Sequence, residues 1–452
     1  MSTKPTITAL ATPSGESAIA LIRVSGPLCL EIAQQAFRQK QDLTPRQASL
    51  GRYRSKDGQI LDEVLYTFFA DGQSYTGEAV LEIACHGNPL IARKILEDLE
   101  ARGCQLAEPG EFTRTAFLNR RMDLSQAEAV MELIQAKSEK AIEVAHRHLR
   151  GGIGDKIRAL VEKLTTLCAH LEAYIDFPEE DLPEEDQTGP LAELAQIVSE
   201  VDRLIETHQF HDALSQGVRL AILGAPNAGK SSLLNVLLDQ NRAIVSDTPG
   251  TTRDFISEHI TFGGLNLELI DTAGLRNADT DIESQGIERS LQVANEADFT
   301  ILVIDSTEDL PDLPQDVLER LNSDNALVAE NKTDLSTSRS LQDFLPHLPH
   351  HRLSALTQEG LAELKQLLHQ KLEALVELPG EATVVVNARH RNLLATGRQL
   401  LLEGQQKLLN QIPAELAASD LREGLETIAQ ITGSFDTEDL LDQIFQNFCI
   451  GK

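Results

Sequence analysis

The chain has 452 residues, room for about three domains at roughly 150 residues each. A formal charge of −30 argues against holding nucleic acid by broad phosphate neutralisation, which needs clustered Lys and Arg. Five scattered cysteines, Cys29, Cys85, Cys104, Cys168 and Cys449, fit neither a disulfide framework nor a zinc knuckle. With no cationic leader ahead of an apolar run, and no stretch of about eighteen apolar residues, the expectation is a soluble, unprocessed, cytoplasmic protein with no membrane span.

Residues 1–118 mix β-like runs, "IALIRVSG", "EVLYTFFA" and "AVLEIAC", with the helical stretch "PLIARKILEDLEARG", the texture of an α+β domain. Cys85 and His86 invite a metal reading, but neighbours on a strand point to opposite faces, so zinc is not expected there. From 119 the pattern turns helical. Ser125 and Glu128 have capping-box spacing, and Ala127, Val130, Met131 and Ile134 follow on one face. His146 and His148, on a predicted helix, are expected to be solvated or packed. An acidic segment at 174–190, "YIDFPEEDLPEEDQTGP", should break the helices before "LAELAQIVSEVDRLIETH" resumes them. Residues 217–378 alternate strands and helices, as a parallel sheet with crossover helices does. Helix then returns over 379–452, with Leu393, Leu400, Leu401 and Leu408 on one face, then Leu421, Leu425 and Ile428, then Leu440, Ile444 and Phe448. The reading is multidomain: α+β, then a discontinuous all-α domain (119–216 and 379–452) into which an α/β domain is inserted.

The predicted strand "VRLAIL" runs into Gly224-Ala225-Pro226-Asn227-Ala228-Gly229-Lys230-Ser231, followed by a helix. In a G-x-x-x-x-G-K-S loop, backbone N–H groups close round phosphates, Lys230 reaches the terminal phosphates and Ser231 offers an oxygen to Mg²⁺. Asn331-Lys332-Thr333-Asp334, after "NALVAE", selects the base. A carboxylate such as Asp334 pairs with the two N–H donors of guanine and is left unpaired by adenine. The stem of Lys332 can cover the base, and Ser354-Ala355-Leu356 follows where GTPases place a further guanine-contacting loop. Between these, Thr252 is a second Mg²⁺ oxygen, Asp271 the acidic metal-side partner, and Gly274 an N–H donor to the terminal phosphate. The set reads as a switch GTPase. Leu275 stands where Ras-like enzymes carry the water-orienting glutamine, so another group must do that work. Asp281, Glu283 and Glu288 are all candidates, and Arg253 and Arg276 are the arginines near enough to act as a finger.

The chain ends "NFCIGK". A prenylation box with Gly451 and Lys452 in its last two places is unsuitable, so no lipid anchor is expected.

"GAPNAGKSSLLN", "SDTPGTTRD", "DTAGLR", "IERS", "GEFTRTAFLNRRMDLSQAEAV", "IDFPEED" and "FCIGK" together resemble the MnmE (TrmE) family of tRNA-modification GTPases, of the TrmE-Era-EngA-EngB-Septin-like superfamily, over essentially the whole chain. The resemblance implies domains at 1–118 (dimerisation and tetrahydrofolate binding), 119–216 and 379–452 (helical), and 217–378 (Ras-like G domain). It implies a GTPase that, in a heterotetramer with the FAD-dependent MnmG (GidA), places a (carboxymethyl)aminomethyl group on carbon 5 of the wobble uridine of certain tRNAs. The one-carbon unit would come from 5-formyl- or 5,10-methylene-tetrahydrofolate. The homodimer's G domains would meet when GTP binds, with K⁺ replacing an arginine finger. GTP or GDP would contact Asn227, Ala228, Gly229, Lys230, Ser231, Ser232, Ser246, Asp247, Thr248, Pro249, Gly250, Thr251, Thr252, Asp271, Thr272, Ala273, Gly274, Asn331, Lys332, Asp334, Ser354, Ala355 and Leu356. Ser231 and Thr252 would hold Mg²⁺; Asn227, Ser246, Thr248 and Thr251 would hold K⁺; Glu283 would orient water. Folate would meet Arg23, Glu82, Arg121 (where lysine is common) and Lys452 of the tail, whose Cys449 becomes a candidate functional thiol. The alternative reading is a ribosome-assembly or signalling switch of the Era/EngA type, which should carry an attached basic RNA-binding module.

Overall fold

A computed structural model describes residues 4–38, 43–176, 188–215, 217–238, 258–270, 296–310, 315–335, 341–377, 380, 384–410, 412–434, 438–446 and 448–451. The chain divides into two compact units. One comprises Met1–Met131, His148–Leu194 and Gln399–Lys452; the other comprises Glu132–Arg147 and Ala195–Arg398.

The first unit is built on a sheet of β1 (Ile7–Leu10), β2 (Ile19–Ser25), β3 (Ala48–Arg54), β4 (Ile60–Phe69), β5 (Val80–His86) and β6 (Gln105–Leu106), in the order β3-β4-β5-β2-β1-β6. The alternation expected of the three β-like runs is present: in β5, Val80, Leu81, Ile83 and Cys85 are buried, and Glu82 and Ala84 only half so. Two helices, α1 (Cys29–Phe37) and α2 (Pro89–Ala101), complete this core. α2 begins where the sequence supplies Asn88, whose side chain accepts from Leu90 N–H, followed by Pro89, which has no N–H to leave unpaired. Cys85 lies buried, its thiol pushed up to about 11 by burial and by Asp62, while the His86 ring reaches Asp62 at 2.8 Å.

The cap expected at Ser125 is instead made two residues earlier. Asp123 accepts from Gln126 N–H at 2.9 Å while the Gln126 side chain accepts from Asp123 N–H at 3.0 Å, a reciprocal capping box that starts α4 (Leu124–Gln135). Ser125 then points its hydroxyl back at Asp123 and is buried. Asp wins the cap because its carboxylate both accepts the orphan N–H and opposes the positive end of the helix dipole. On α4, Ala127 and Val130 are buried as expected, but Ile134 is exposed. The helix after α5 (Glu139–Leu149) is α6 (Gly152–Asp176), which runs three residues into the segment expected to break it, and α7 starts at Thr188 and runs to Glu206.

The second unit holds the other sheet. α8 (His208–Ser215) leads into β7 (Val218–Leu223), and the loop after β7 opens α9 (Lys230–Leu238). β8 (Glu258–Phe262), β9 (Leu265–Leu269), β10 (Phe299–Asp305), the short α10 (Gln315–Leu318), β11 (Ala326–Asn331), β12 (His350–Arg352) and α11 (Leu361–Val376) follow. The sheet order is β12-β11-β10-β7-β9-β8. It is parallel from β12 to β9, as the alternating pattern requires, but β8 pairs antiparallel with β9 through the Gly263-Gly264 hairpin. β10 and β11 are buried at every position, which fits central strands covered on both faces.

The chain then returns to helix in α12 (Ala388–Leu409), α13 (Ala414–Ala429) and α14 (Glu438–Phe445). The buried face of α12 is His390, Leu394, Gly397, Leu401 and Gly404, so Leu393, Leu400 and Leu408 sit beside it, half-buried. Glycine carries no apolar signal, yet Gly404 is what lets α13 close in: a Cβ there would lie 2.9 Å from Leu421. In the first unit, Leu441, Phe445 and Phe448 pack with Leu124 and Ala127.

Candidate functional site

In the second unit the loop Gly224–Gly229 joins a fully parallel central strand to a helix start, so backbone N–H groups face one concavity. Asn227 takes a left-handed backbone, φ 61°, that asparagine tolerates better than most residues. Lys230 curls over the loop, its Nζ donating to the carbonyls of Gly224 (2.9 Å) and Ala225 (2.7 Å). Burial holds its pKa below the usual lysine value. Such an ammonium already rests at the loop mouth, where a phosphate oxygen would meet it.

Asn331 ends β11 and is a structural hub. Its Nδ2 donates to Ala228 O at 2.8 Å, its Oδ1 accepts from Ala355 N–H at 2.9 Å, and its own carbonyl accepts from the Ser306 hydroxyl at 2.7 Å. One buried amide therefore fixes the phosphate loop, the Ser354–Leu356 loop and the β10 end together. Gly229 is needed for that approach: a Cβ at its φ of 98° would lie 2.1 Å from Asn331 Nδ2. A cradle so close-fitting suits a nucleotide lying between the two loops.

Lys332, at φ 64°, sends Nζ to Asp305 at 2.5 Å. Burial works against the Asp305 charge, but bonds from Lys332 and Thr307 outweigh it and hold the carboxyl below the usual range. Asp334 is exposed two residues on from Lys332. Ser354 is buried and braces its own turn by accepting from Thr357 N–H, whereas Leu356 is 84% exposed. Ser231 and Ser232 lie on the exposed face of the α9 start. Ser246, Asp247, Thr248, Pro249, Gly250, Thr251, Thr252, Asp271, Thr272, Ala273, Gly274, the water-positioning candidates Asp281, Glu283 and Glu288, Arg253, Arg276 and Lys452 lie outside the described residues.

In the first unit, cross-strand pairing sets Arg23 of β2 opposite Glu82 of β5. Arg23 Nε and Nη2 donate to the same Glu82 oxygen at 3.0 and 2.9 Å. Arg23 Nη1 donates to the Gly451 carbonyl at 3.1 Å, so the carboxyl-terminal tail is seated on this pair. Gly451, at φ 95°, allows the approach, since a Cβ would lie 2.7 Å from Leu10 O. The Arg23 guanidinium also lies 5.9 Å from the Tyr75 ring centre and 5.7 Å from that of Phe112. Burial raises the Tyr75 pKa, against the opposing hydrogen bond to Thr113 and the charge of Arg23. Sequence reasoning missed these two rings; "SYTG" and "GEFT" carry no spacing that links them to Arg23. Arg121 is exposed, with its stem over Gly77, and lines a cavity of about 630 Å³ together with Arg120 and Arg158. Cys449 is exposed, and its carbonyl accepts from Gly110 N–H at 3.5 Å.

Comparison with known proteins decides the family. A family model described as the MnmE helical domain matches residues 124–449, and one described as the GTP-binding protein TrmE N-terminus matches residues 6–121. The chain belongs to the MnmE family of tRNA-modification GTPases. It is 43% identical to the tRNA modification GTPase MnmE of Opitutus terrae over 448 residues, 99% of each chain. The proteins of the same description from Akkermansia muciniphila and Aquifex aeolicus are 43% and 40% identical, again over 99% of each chain. The architecture follows: an amino-terminal α+β domain, a discontinuous helical domain and an inserted G domain of P-loop type. No helix among the described residues is long and apolar enough to cross a membrane.

Proposed function

We propose that this chain hydrolyses GTP to drive modification of the wobble uridine of certain tRNAs, working with the FAD protein MnmG. The observation that carries the GTP half is the Asn331 brace, which holds the phosphate loop and the guanine loop in one buried hydrogen-bond system. Lys230 would meet the terminal phosphates, Ser231 and Thr252 would hold Mg²⁺, and Asp334 would read guanine. Asn227, Ser246, Thr248 and Thr251 would hold K⁺, and Glu283 would orient the attacking water. Bound K⁺ would supply the positive charge that an arginine finger supplies elsewhere.

The one-carbon half rests on the first unit. Glu82 presents a half-buried carboxylate of the kind that pairs with the two parallel donors of a pterin ring, and its partner Arg23 lies against the rings of Tyr75 and Phe112. Arg121 would face the acidic end of a reduced folate, and Lys452 would reach it from the tail. A bound tetrahydrofolate would supply the one-carbon unit. The domain limits that go with this reading are 1–118, 119–216, 217–378 and 379–452, with the first domain forming a homodimer.

Three measurements test the proposal. Purified protein should bind 5-formyl-tetrahydrofolate, and its GTP turnover should be faster in K⁺ than in Na⁺. Equal turnover in both ions would remove the K⁺ role. Cells lacking the protein should lose the modified wobble uridine, and intact modification would overturn the function as a whole.

A further inference from the structure

We infer that His208, His211 and Asp212 form a site for a divalent transition-metal ion, with zinc the best match, at the base of the G domain. Among the described residues this is a group of three metal-ligating side chains whose donor atoms all lie within 4.8 Å of one another. Spacings of three and four put all three on one face of α8.

The carrying observation is what the other ring nitrogens do. His208 Nδ1 donates to the Val386 carbonyl at 3.1 Å, which leaves Nε2 as the lone-pair nitrogen, and that atom lies 3.9 Å from Asp212 Oδ2. His211 turns Nδ1 to Asp212 Oδ1 at 3.3 Å and Nε2 to Glu132 at 3.6 Å. Each imidazole thus has one nitrogen directed at Asp212, while the other is hydrogen-bonded to the Val386 carbonyl in His208 and faces the Glu132 carboxylate within ion-pair range in His211. That is the outer arrangement metal-binding histidines need, because the outer hydrogen bond fixes tautomer and ring orientation. Donors about 2.0–2.1 Å from zinc in a tetrahedron stand about 3.3 Å apart; the His211–Asp212 edge is already at that distance, and the other donor separations, all within 4.8 Å, shorten to it by side-chain rotation. Two imidazoles and one carboxylate suit a borderline ion over Mg²⁺ or Ca²⁺, which prefer oxygen donors. Asp212 is 58% exposed, so the fourth position opens to water.

The placement gives the ion something to do. α8 is the segment by which the chain passes into the G-domain sheet, and Val386 lies on the segment by which it leaves, next to Thr207, whose hydroxyl accepts from Val386 N–H at 3.2 Å. The Phe210 and Ala213 side chains, on the other side of α8, pack on the sheet's core. An ion held by α8, with its histidines steadied by Val386 and by Glu132 of α4, would lock the crossing segments together.

The test uses the full chain, chelator-treated and then loaded with Mg²⁺ and GDP to occupy the phosphate loop, titrated with Zn²⁺ and separately with Co²⁺. Wild type should take up one more equivalent of Zn²⁺ than His208→Gln/His211→Gln, melt at a higher temperature with Zn²⁺ than without, and show visible d–d bands with Co²⁺. Glu132→Gln should weaken Zn²⁺ binding about 10–100-fold without abolishing it. If the double variant does not fold, the wild-type Co²⁺ bands decide alone, since phosphate-loop oxygen ligation would not give tetrahedral-type absorption. Equal uptake by wild type and variant, absence of those bands, or a melting temperature that follows pH through the histidine range and ignores Zn²⁺ would overturn the proposal and leave a hydrogen-bonded ion-pair group only.

Discussion

Asn331 hydrogen-bonds to Ala228, a residue 103 positions earlier in the chain, and so joins the end of β11 to the phosphate loop directly. A side-chain amide can do this because it offers donors and an acceptor at once: the same group gives to Ala228 and takes from Ala355 N–H. Aspartate keeps the acceptor and loses the donor. Asn331→Asp should therefore weaken both GTP and GDP binding strongly and cost about 1–3 kcal/mol of G-domain stability, the usual penalty of an unsatisfied buried group. Nucleotide titration and thermal melting of the variant check this; unchanged affinity would mean that the brace is dispensable.

Asp334 sits at the other extreme, exposed and outside that brace. Asp334→Asn should leave the fold and melting temperature within about 0.5 kcal/mol of wild type, as for most surface changes, while lowering GTP affinity and relaxing the preference for guanine. A xanthine nucleotide, whose extra carbonyl suits an amide donor, should gain relative to GTP. Competition binding with GTP, XTP and ATP measures it, and an unchanged guanine preference would remove Asp334 from base selection.

The Asp305–Lys332 pair predicts a pH effect with a definite sign. The folded Asp305 carboxyl has a lower pKa than it would in the unfolded chain. Its contribution to stability is therefore complete above the usual carboxylate range and is lost as pH falls through the depressed folded value. Asp305→Asn should be less stable than wild type at pH 7, with the gap narrowing in acid. Melting curves at pH 7 and near pH 3 test this, and a gap independent of pH would show that the charge is not what matters.

Much of this was legible because the chemistry sits in contiguous runs. The loop Gly224–Ser231 and the tetrad Asn331–Asp334 are each contiguous, and the strands that deliver them, β7 and β11, are apolar enough to be read at sight. The buried face of α12 lies one position from the expected one because three of its five buried residues, His390, Gly397 and Gly404, leave no apolar signal. The cap of α4 was placed at Ser125 because its spacing to Glu128 is as good as that of Asp123 to Gln126; only the backbone geometry separates them. The rings of Tyr75 and Phe112 around Arg23 come from distant segments, and no local pattern announces such a contact.

Arg23 ties the tail to the Glu82 site through the Gly451 carbonyl. Arg23→Met keeps much of the side-chain volume between Tyr75 and Phe112 but deprives Glu82 of its partner and the tail of its anchor. Reduced-folate binding and tRNA modification should fall at least tenfold, while GTP turnover by the G domain stays within about twofold. Arg23→Lys should recover little, because an ammonium lacks the planar fork that serves Glu82 and Gly451 at once. Folate affinity, modified-uridine content and GTP turnover, measured on the same preparations, separate the two halves; a matching loss of all three would show a folding defect in place of a site defect.

Cys449 lies exposed in that tail, two residues before the carbonyl that Arg23 holds. An exposed thiol has no packing role to lose, so Cys449→Ser should leave folding, folate binding and GTP hydrolysis unchanged. If the thiol takes part in the modification step, the same variant should lower modified wobble uridine at least tenfold in cells that carry it as their sole copy. Nucleoside analysis gives the answer directly. Normal modified-uridine levels would return Cys449 to an ordinary surface residue and leave Arg23, Glu82 and the seated tail as the working part of the site.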